Sequence, residues 1–354
     1  MVRRLAWSSL VMIAAACSAN ETGFGDDGGN QSGSDSGAAD STSGPTNDSG
    51  PVNFGDSSTD APIGDGGTVT TVYANTDDTL YELNPQTNAV TMIGKFVGTS
   101  DASSDNTITD VAVNATGDVY VNSESVIYKA NVPTSPGPVS LTKIATIALQ
   151  SDKFYALAFT PVGSLDANNE ILIGGDGNGE LFSIDTASGS TRDLGSFGVD
   201  PGHSGYDFAL SGDLVFYMDA QSNPTGLVTI RPCKAKTTTC ITTSDYLAAV
   251  DMTALANAYK NNTPAASLLK GIYGGSGSND GAGTHYGDLF GLGAWQGTVF
   301  AFARKTQANG SPLLLSIDTK TGAGNVISSS FTFTNGWSGA GVSTSATISV
   351  APPN

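Results

Sequence analysis

A short phrase recurs along this chain. Leu80-Tyr81-Glu82-Leu83-Asn84, Glu180-Leu181-Phe182-Ser183-Ile184-Asp185 and Leu314-Leu315-Ser316-Ile317-Asp318 are each followed by a brief turn and a second β-prone run. The matching positions Tyr81, Tyr128, Phe182 and Val228 stand 47, 54 and 46 residues apart, and a gap of 87 precedes Leu315. Repetition of a strand-built unit at such a period predicts an all-β fold, a single β-propeller. That architecture carries many unrelated activities, so function has to be argued from sites.

A blade of four antiparallel strands should show four short β-prone runs parted by Gly, Asn, Asp or Pro turns. Residues 109–113, 118–122, 126–130 and 141–147 form one such set; 156–160, 170–174, 181–185 and 191–194 form the next. Residues 208–210, 214–218, 227–231 and 239–243 form another, and 289–295, 298–303, 313–318 and 324–328 the last full one. The first set, 69–74, 80–83 and 90–93, lacks an inner strand, which residues 337–348 are expected to supply. Five blades result, the ring closed by a C-terminal strand so that no edge is left unpaired. Residues 245–287, with a helical pattern over Asp251–Lys260, read as an insertion, the alternative being a degenerate sixth blade.

Ahead of the propeller the chain changes character. Arg3 and Arg4 precede a short apolar run, Leu5 to Ile13, and Ala14-Ala15-Ala16 stands before Cys17. Residues 1–16 are too short an apolar stretch to span a bilayer and read as an export signal. Residues 18–67 hold nine acidic side chains and no Lys or Arg, among Gly, Ser, Thr and Asn. Such a segment buries too little apolar surface to offset its ordering entropy, so 17–67 is expected to be a disordered acidic tether before a propeller over 68–354. Half of the net charge of −18 belongs to that tether, and a chain of this acidity is a poor candidate for nucleic acid.

Small residues directly before Cys17 resemble the lipobox of bacterial lipoproteins, although Ala14 stands where that family usually has Leu. The resemblance implies lipidation of Cys17 and a place in the bacterial cell envelope, at the outer membrane or cell surface, with the membrane contacted through lipid only. Thr186-Ala187-Ser188-Gly189 and Thr319-Lys320-Thr321-Gly322 follow the two Ile-Asp pairs and resemble NHL and YVTN propeller repeats. The whole chain, tether and propeller together, looks like surface lipoproteins of myxobacteria. That likeness implies a binding role without chemistry to carry over, and the chain is expected to be a monomer.

An exported chain lets Cys233 and Cys240 oxidise, and their spacing sets them opposite each other across a hairpin, so a disulfide is expected. A two-thiolate metal site would need His or Cys companions that are missing nearby. Asp176-Gly177-Asn178-Gly179-Glu180 alternates oxygen-bearing residues but sits where a strand-to-strand turn belongs.

Candidate chemistry lies at the entries to the inner strands. Asp110, Asp207 and Asp288 each precede an inner-strand run, Tyr155 and Ser338 hold the equivalent places, and His203, His285 and Tyr286 stand close by in sequence. The plain reading is turn capping. The sharper one gathers the three carboxylates on a divalent cation such as calcium, with His203, His285 and Tyr286 toward a ligand. The leading expectation is a non-enzymatic binding module without a required cofactor, for a carbohydrate, peptide or envelope protein. The alternative is a metal-dependent propeller enzyme of the lyase or lactonase class.

Overall fold

The computed structural model describes residues 71–99, 107–147, 153–235, 237, 239–273, 286–304, 311–319, 321–333 and 335–346. The expectations for the export signal, Cys17, the tether and His285 lie outside the described residues. What is described is all-β and propeller-like, with a single helix among these residues.

The first sheet begins with β1 (Val72–Asn75), β2 (Thr79–Asn84) and β3 (Ala89–Val97). Its inner partner comes from the other end of the chain: β20 (Gly339–Val342) pairs antiparallel with β1, Val72 opposite Val342 and Asn75 opposite Gly339. Next come β4 (Asp110–Val113), β5 (Val119–Asn122), β6 (Val126–Asn131) and β7 (Val139–Thr146). The outer strands β3 and β7 touch in parallel over Phe96–Val97 and Val139–Ser140, which joins these two sets into one eight-stranded sheet. Then follow β8 (Phe154–Thr160), β9 (Ile171–Asp176), β10 (Glu180–Ile184) and β11 (Thr191–Ser196), a four-stranded sheet.

A further four-stranded sheet departs from the sequence reading. Its inner strand β12 (Tyr206–Met218) runs through both segments expected to be separate strands, and β13 (Pro224–Lys234) pairs with its whole length. The ladder breaks between Leu210 and Leu214. Ser211-Gly212-Asp213 therefore forms a bulge and not the turn its composition suggests. The physical reason is close packing: a Cβ on Gly212 would stand 2.0 Å from the Leu289 carbonyl oxygen of the neighbouring sheet. The outer strands of this sheet are β14 (Tyr246–Val250) and β15 (Leu269–Tyr273), both inside the segment read as an insertion.

Between β14 and β15 lies α1 (Met252–Asn261). The Asp251 carboxylate accepts from the Thr253 and Ala254 amides at its N-terminus, and Asn262 ends it at φ 53°. Leu255 and Ala258 are its buried face, set into the apolar cluster that holds Leu194, Phe197 and Ile230. The chain continues through β16 (Leu289–Trp295), β17 (Thr298–Ala303), β18 (Leu313–Ile317) and β19 (Gly324–Ser328).

The recurrent phrase has a local cause. Asn84, Asp185 and Asp318 each end a strand, and their side-chain oxygens accept amide hydrogens two or three residues on. Asn88, Gly189 and Gly322 then take the left-handed conformation at φ 58°, 70° and 71° that lets the next strand return. Asp176 does the same for the Asn178 and Glu180 amides, the plain turn expected there. Inner strands β20, β4, β8, β12 and β16 pack each against the next, and β16 packs on β20 again. Between the sheets of β1 and β16, Trp337 is fully buried among Tyr81, Phe302, Phe331 and Phe333, at ring-centroid distances of 4.6 to 5.3 Å.

Candidate functional site

The ends of the inner strands surround a cavity of about 540 Å³. Thr109, Tyr155, Gly212, Asp288 and Ser338 lie on its wall, so five neighbouring strands or the turns that enter them contribute to it. Three positions singled out in the sequence, Tyr155, Asp288 and Ser338, meet here. Asp110 and Asp207 do not join them.

Asp110 lies one residue below Thr109 and is fully buried. Its carboxyl accepts from the amides of Val111 (2.7 Å) and Leu157 (2.5 Å), and it hydrogen-bonds Asp213. Asp213, equally buried, accepts from Leu214 (2.5 Å), from Leu292 (2.6 Å) and from the Ala340 amide. Burial raises both acids, Asp213 to about 8, and the negative charge of Asp213 raises Asp110 further. Two carboxyls can hydrogen-bond to each other only across a proton, so at least one of the pair keeps its proton. Beyond it the axis narrows to a void of about 10 Å³ lined by Ala112, Leu157, Leu214, Leu292 and Ala340, room for about one water.

Asp207 sits on β12 opposite Cys233. The residue of β12 that occupies the place of Asp110 is Asp213, because β12 reaches the axis only after its bulge. His203 is held in the preceding turn, with Nδ1 2.6 Å from the Asp200 carboxylate. Tyr286 is half-buried against the core, and its carbonyl accepts the Asp245 amide (2.9 Å). Among the described residues no group of three or more His, Cys, Asp or Glu side chains is disposed to hold a metal ion.

Two arginines that sequence reasoning passed over dominate the cavity wall. Arg231, from β13, reaches Asp245 through Nε (2.5 Å) and Asp288 through Nη2 (2.7 Å). Asp245 is fully buried; it also accepts from the Ser211 hydroxyl and from the Leu289 amide (2.7 Å). Burial pushes its pKa up, against the pull of Arg231. Burial would lower that of Arg231, but Asp245 and Asp288 more than reverse it. Asp288 takes φ 55°, a costly conformation for a residue with a side chain, and its carbonyl accepts the Arg304 amide (2.8 Å). A Cβ at Gly287 would meet the Thr243 carbonyl oxygen at 2.0 Å, so this approach needs glycine.

Arg304 lies over the Phe290 ring, 5.6 Å from its centroid, and pairs with Asp77 (3.2 Å), which also accepts from the Ser338 hydroxyl (2.5 Å). Glu124 on the wall pairs with Lys153 (2.5 Å). Cys233 and Cys240 are joined as a disulfide at the end of β13, and both line the cavity, so the bond fixes one side of the opening. The expected pairing is present, although it closes the cavity end of a hairpin and does not join the outer strands of a sheet.

No protein-family model matches the chain, and no curated protein matches it in sequence. Among solved structures it is similar to a protein of unknown function from Bacteroides caccae, at 8% identity and a TM-score of 0.37 over 77% of this chain and 97% of that one. It is also similar to a protein of unknown function from Bacteroides thetaiotaomicron VPI-5482, at 14% identity and a TM-score of 0.41 over 74% of this chain and 56% of that one.

Proposed function

We propose that this chain is a cell-envelope lipoprotein whose five-bladed propeller is a non-enzymatic binding module, taking a small polar ligand in the cavity at the inner-strand ends. The observation that carries the binding role is that cavity. Its volume of about 540 Å³ falls within the roughly 300–1,000 Å³ usual for small-molecule sites. Its polar groups are held by ion pairs and by strand backbone, the rigid support that recognition needs. The cyclic packing of β20, β4, β8, β12 and β16 supports five blades, each inner strand leading one four-stranded set. The envelope location rests on the resemblance of the segment around Cys17 to a lipobox.

Ligand-detected NMR on the full chain, with mixtures of neutral, anionic and cationic small molecules, tests the binding role. Saturation transfer to at least one class is expected, and Arg304→Ala, which opens the Asp77 pair on the cavity wall, should weaken it. Transfer to none, or transfer that ignores this substitution, would retire the reading.

A further inference from the structure

We infer that the ligand is an uncharged polyhydroxylated ring, a sugar, stacked on Tyr155 and hydrogen-bonded to the pairs Arg231–Asp288 and Arg304–Asp77. The inference rests on the binding role proposed for the cavity and adds the chemistry of its occupant.

Charge pairing is the first ground. Among the described residues, every ion on this wall faces its opposite: Arg231 holds Asp245 and Asp288, Arg304 holds Asp77, and Lys153 holds Glu124. An anion entering here would compete with Asp77 or Asp288 for an arginine and leave a carboxylate without its cation. A cation would do the reverse to the arginines. Either loss is expensive at a partly desolvated site. A hydroxyl both donates and accepts, so it can sit beside such a pair, giving its hydrogen to the carboxylate and taking one from the guanidinium, without separating the ions. Arg231 has five donor hydrogens and spends one each on Asp245 and Asp288, so it can also serve a ligand oxygen. The Asp288 side chain is 47% exposed, which leaves carboxylate surface open to a ligand hydroxyl.

The second ground is an aromatic platform. Tyr155 is 40% exposed and lines the cavity. Its ring lies against Gly177, where an added Cβ would come 3.2 Å from Cε2, so the backbone there holds the ring in place. The other aromatic described on the wall, Phe290, has Arg304 over a face. A sugar ring presents a face of C–H groups with slight positive charge, which matches the negative face of an aromatic ring. Size agrees: the cavity far exceeds what a lone ion needs, and it combines an apolar platform with few, fixed polar groups.

Isothermal titration of the full chain tests this with glucose, galactose, mannose, N-acetylglucosamine and their β-1,4-linked disaccharides. Glucuronate, glucosamine and acidic and basic dipeptides serve as charged comparisons. At least one neutral sugar should bind, and the charged analogue of that sugar should bind about tenfold more weakly or worse. Tyr155→Ala should weaken binding about tenfold or more, and Tyr155→Phe should stay within about threefold of the unchanged protein, with melts showing both variants folded. If Tyr155→Ala fails to fold, a tenfold loss in Arg304→Ala with retention in Tyr155→Phe makes the same case. Neutral-sugar binding that Tyr155→Ala and Arg304→Ala leave intact overturns the proposal. If only charged probes bind and Arg304→Ala abolishes that, the sugar assignment falls and the cavity's binding role stands. If none of the probes binds, the sugar assignment falls, and the NMR survey of ligand classes decides the binding role separately.

Discussion

Asp110 and Asp213 hydrogen-bond to each other across the axis of the inner strands, with a proton between them. Through Val111 and Leu157 the first ties β4 to β8, and through Leu214, Leu292 and Ala340 the second ties β12 to β16 and β20. One pair of side chains thereby links all five inner strands.

The pair makes stability depend on pH in a direction opposite to that of an ordinary surface carboxylate. An acid whose folded value lies above its unfolded value of 3.8 keeps its proton in the fold after the unfolded chain has released it. Its contribution is complete below about pH 4 and is lost as the pH rises through about 8. Paired and turn-capping acids such as Asp78, lowered by Lys95, and Asp185, lowered by the Ser188 amide, act the other way below 3.8. The melting temperature should therefore peak near pH 4 to 5 and fall by at least about 5 °C toward pH 8. Asp213→Asn removes the charge and should flatten that fall; an unaltered slope in this variant counts against the shared proton.

Chelator should leave the melting temperature unchanged within about 1 °C. The negative charges near the cavity already have compensation, a proton for Asp110 and Asp213 and Arg231 for Asp245 and Asp288. A cation site among Asp110, Asp207 and Asp288 would show instead as a clear loss of stability on adding EDTA, restored by calcium.

Removing residues 335–354 should abolish a cooperative melt. The deletion strips β20 from β1, leaving an unpaired edge, and takes Trp337 from its cage of four aromatic rings. Loss of the Trp337 side chain alone is worth about 3–5 kcal/mol. Gly339→Ala is the milder probe: its Cβ would stand 2.1 Å from Asp110 Oδ1 and 2.5 Å from the Asp110 Cα, so a loss of about 2–3 kcal/mol is expected. A deletion variant that melts at the unmodified temperature would remove β20 from its place in the ring.

Legibility of this fold in the sequence followed the range of the interactions. The outer hairpins could be read because Asn84, Asp185 and Asp318 cap their own turns within three residues. The closing strand could be read because the first set lacked one and residues 337–342 matched no other. Asp213 was hidden because Ser211-Gly212-Asp213 has the composition of a turn, while its purpose is close packing at the axis. The same misreading moved the candidate site to Asp207 and made an insertion of β14 and β15. The ion pairs of the cavity carry no local signature at all: Asp77 and Arg304 are 227 residues apart, and Arg231 and Asp288 are 57 apart.

Cys17→Ala should move the protein from the membrane fraction to the soluble fraction of a bacterial lysate. Residues 18–67 offer no apolar run to hold a bilayer, and no helix among the described residues is long and apolar enough to cross one. Multiple acyl chains on Cys17 would anchor firmly where a single one binds reversibly. A Cys17→Ala protein that stays with membranes through a salt wash would end the lipid assignment.

The last prediction concerns Arg231 and Asp245. Asp245 is wholly enclosed, and besides Arg231 it is held by the Ser211 hydroxyl and the Leu289 amide. These neutral donors cannot replace a cation, so Arg231→Met should cost about 3–5 kcal/mol at pH 7.5, the usual penalty for stranding one member of a buried pair. Asp245→Asn removes the charge instead, and the double variant Arg231→Met/Asp245→Asn should recover at least about 1.5 kcal/mol relative to the sum of the single losses. Without Arg231 the buried acid is easier to protonate, so the single Arg231→Met loss should shrink as the pH falls from 7.5 to 5. Urea unfolding of the four proteins at both pH values measures the coupling and its pH dependence. Additive losses that do not change with pH would mean that Arg231 steadies this wall by packing alone.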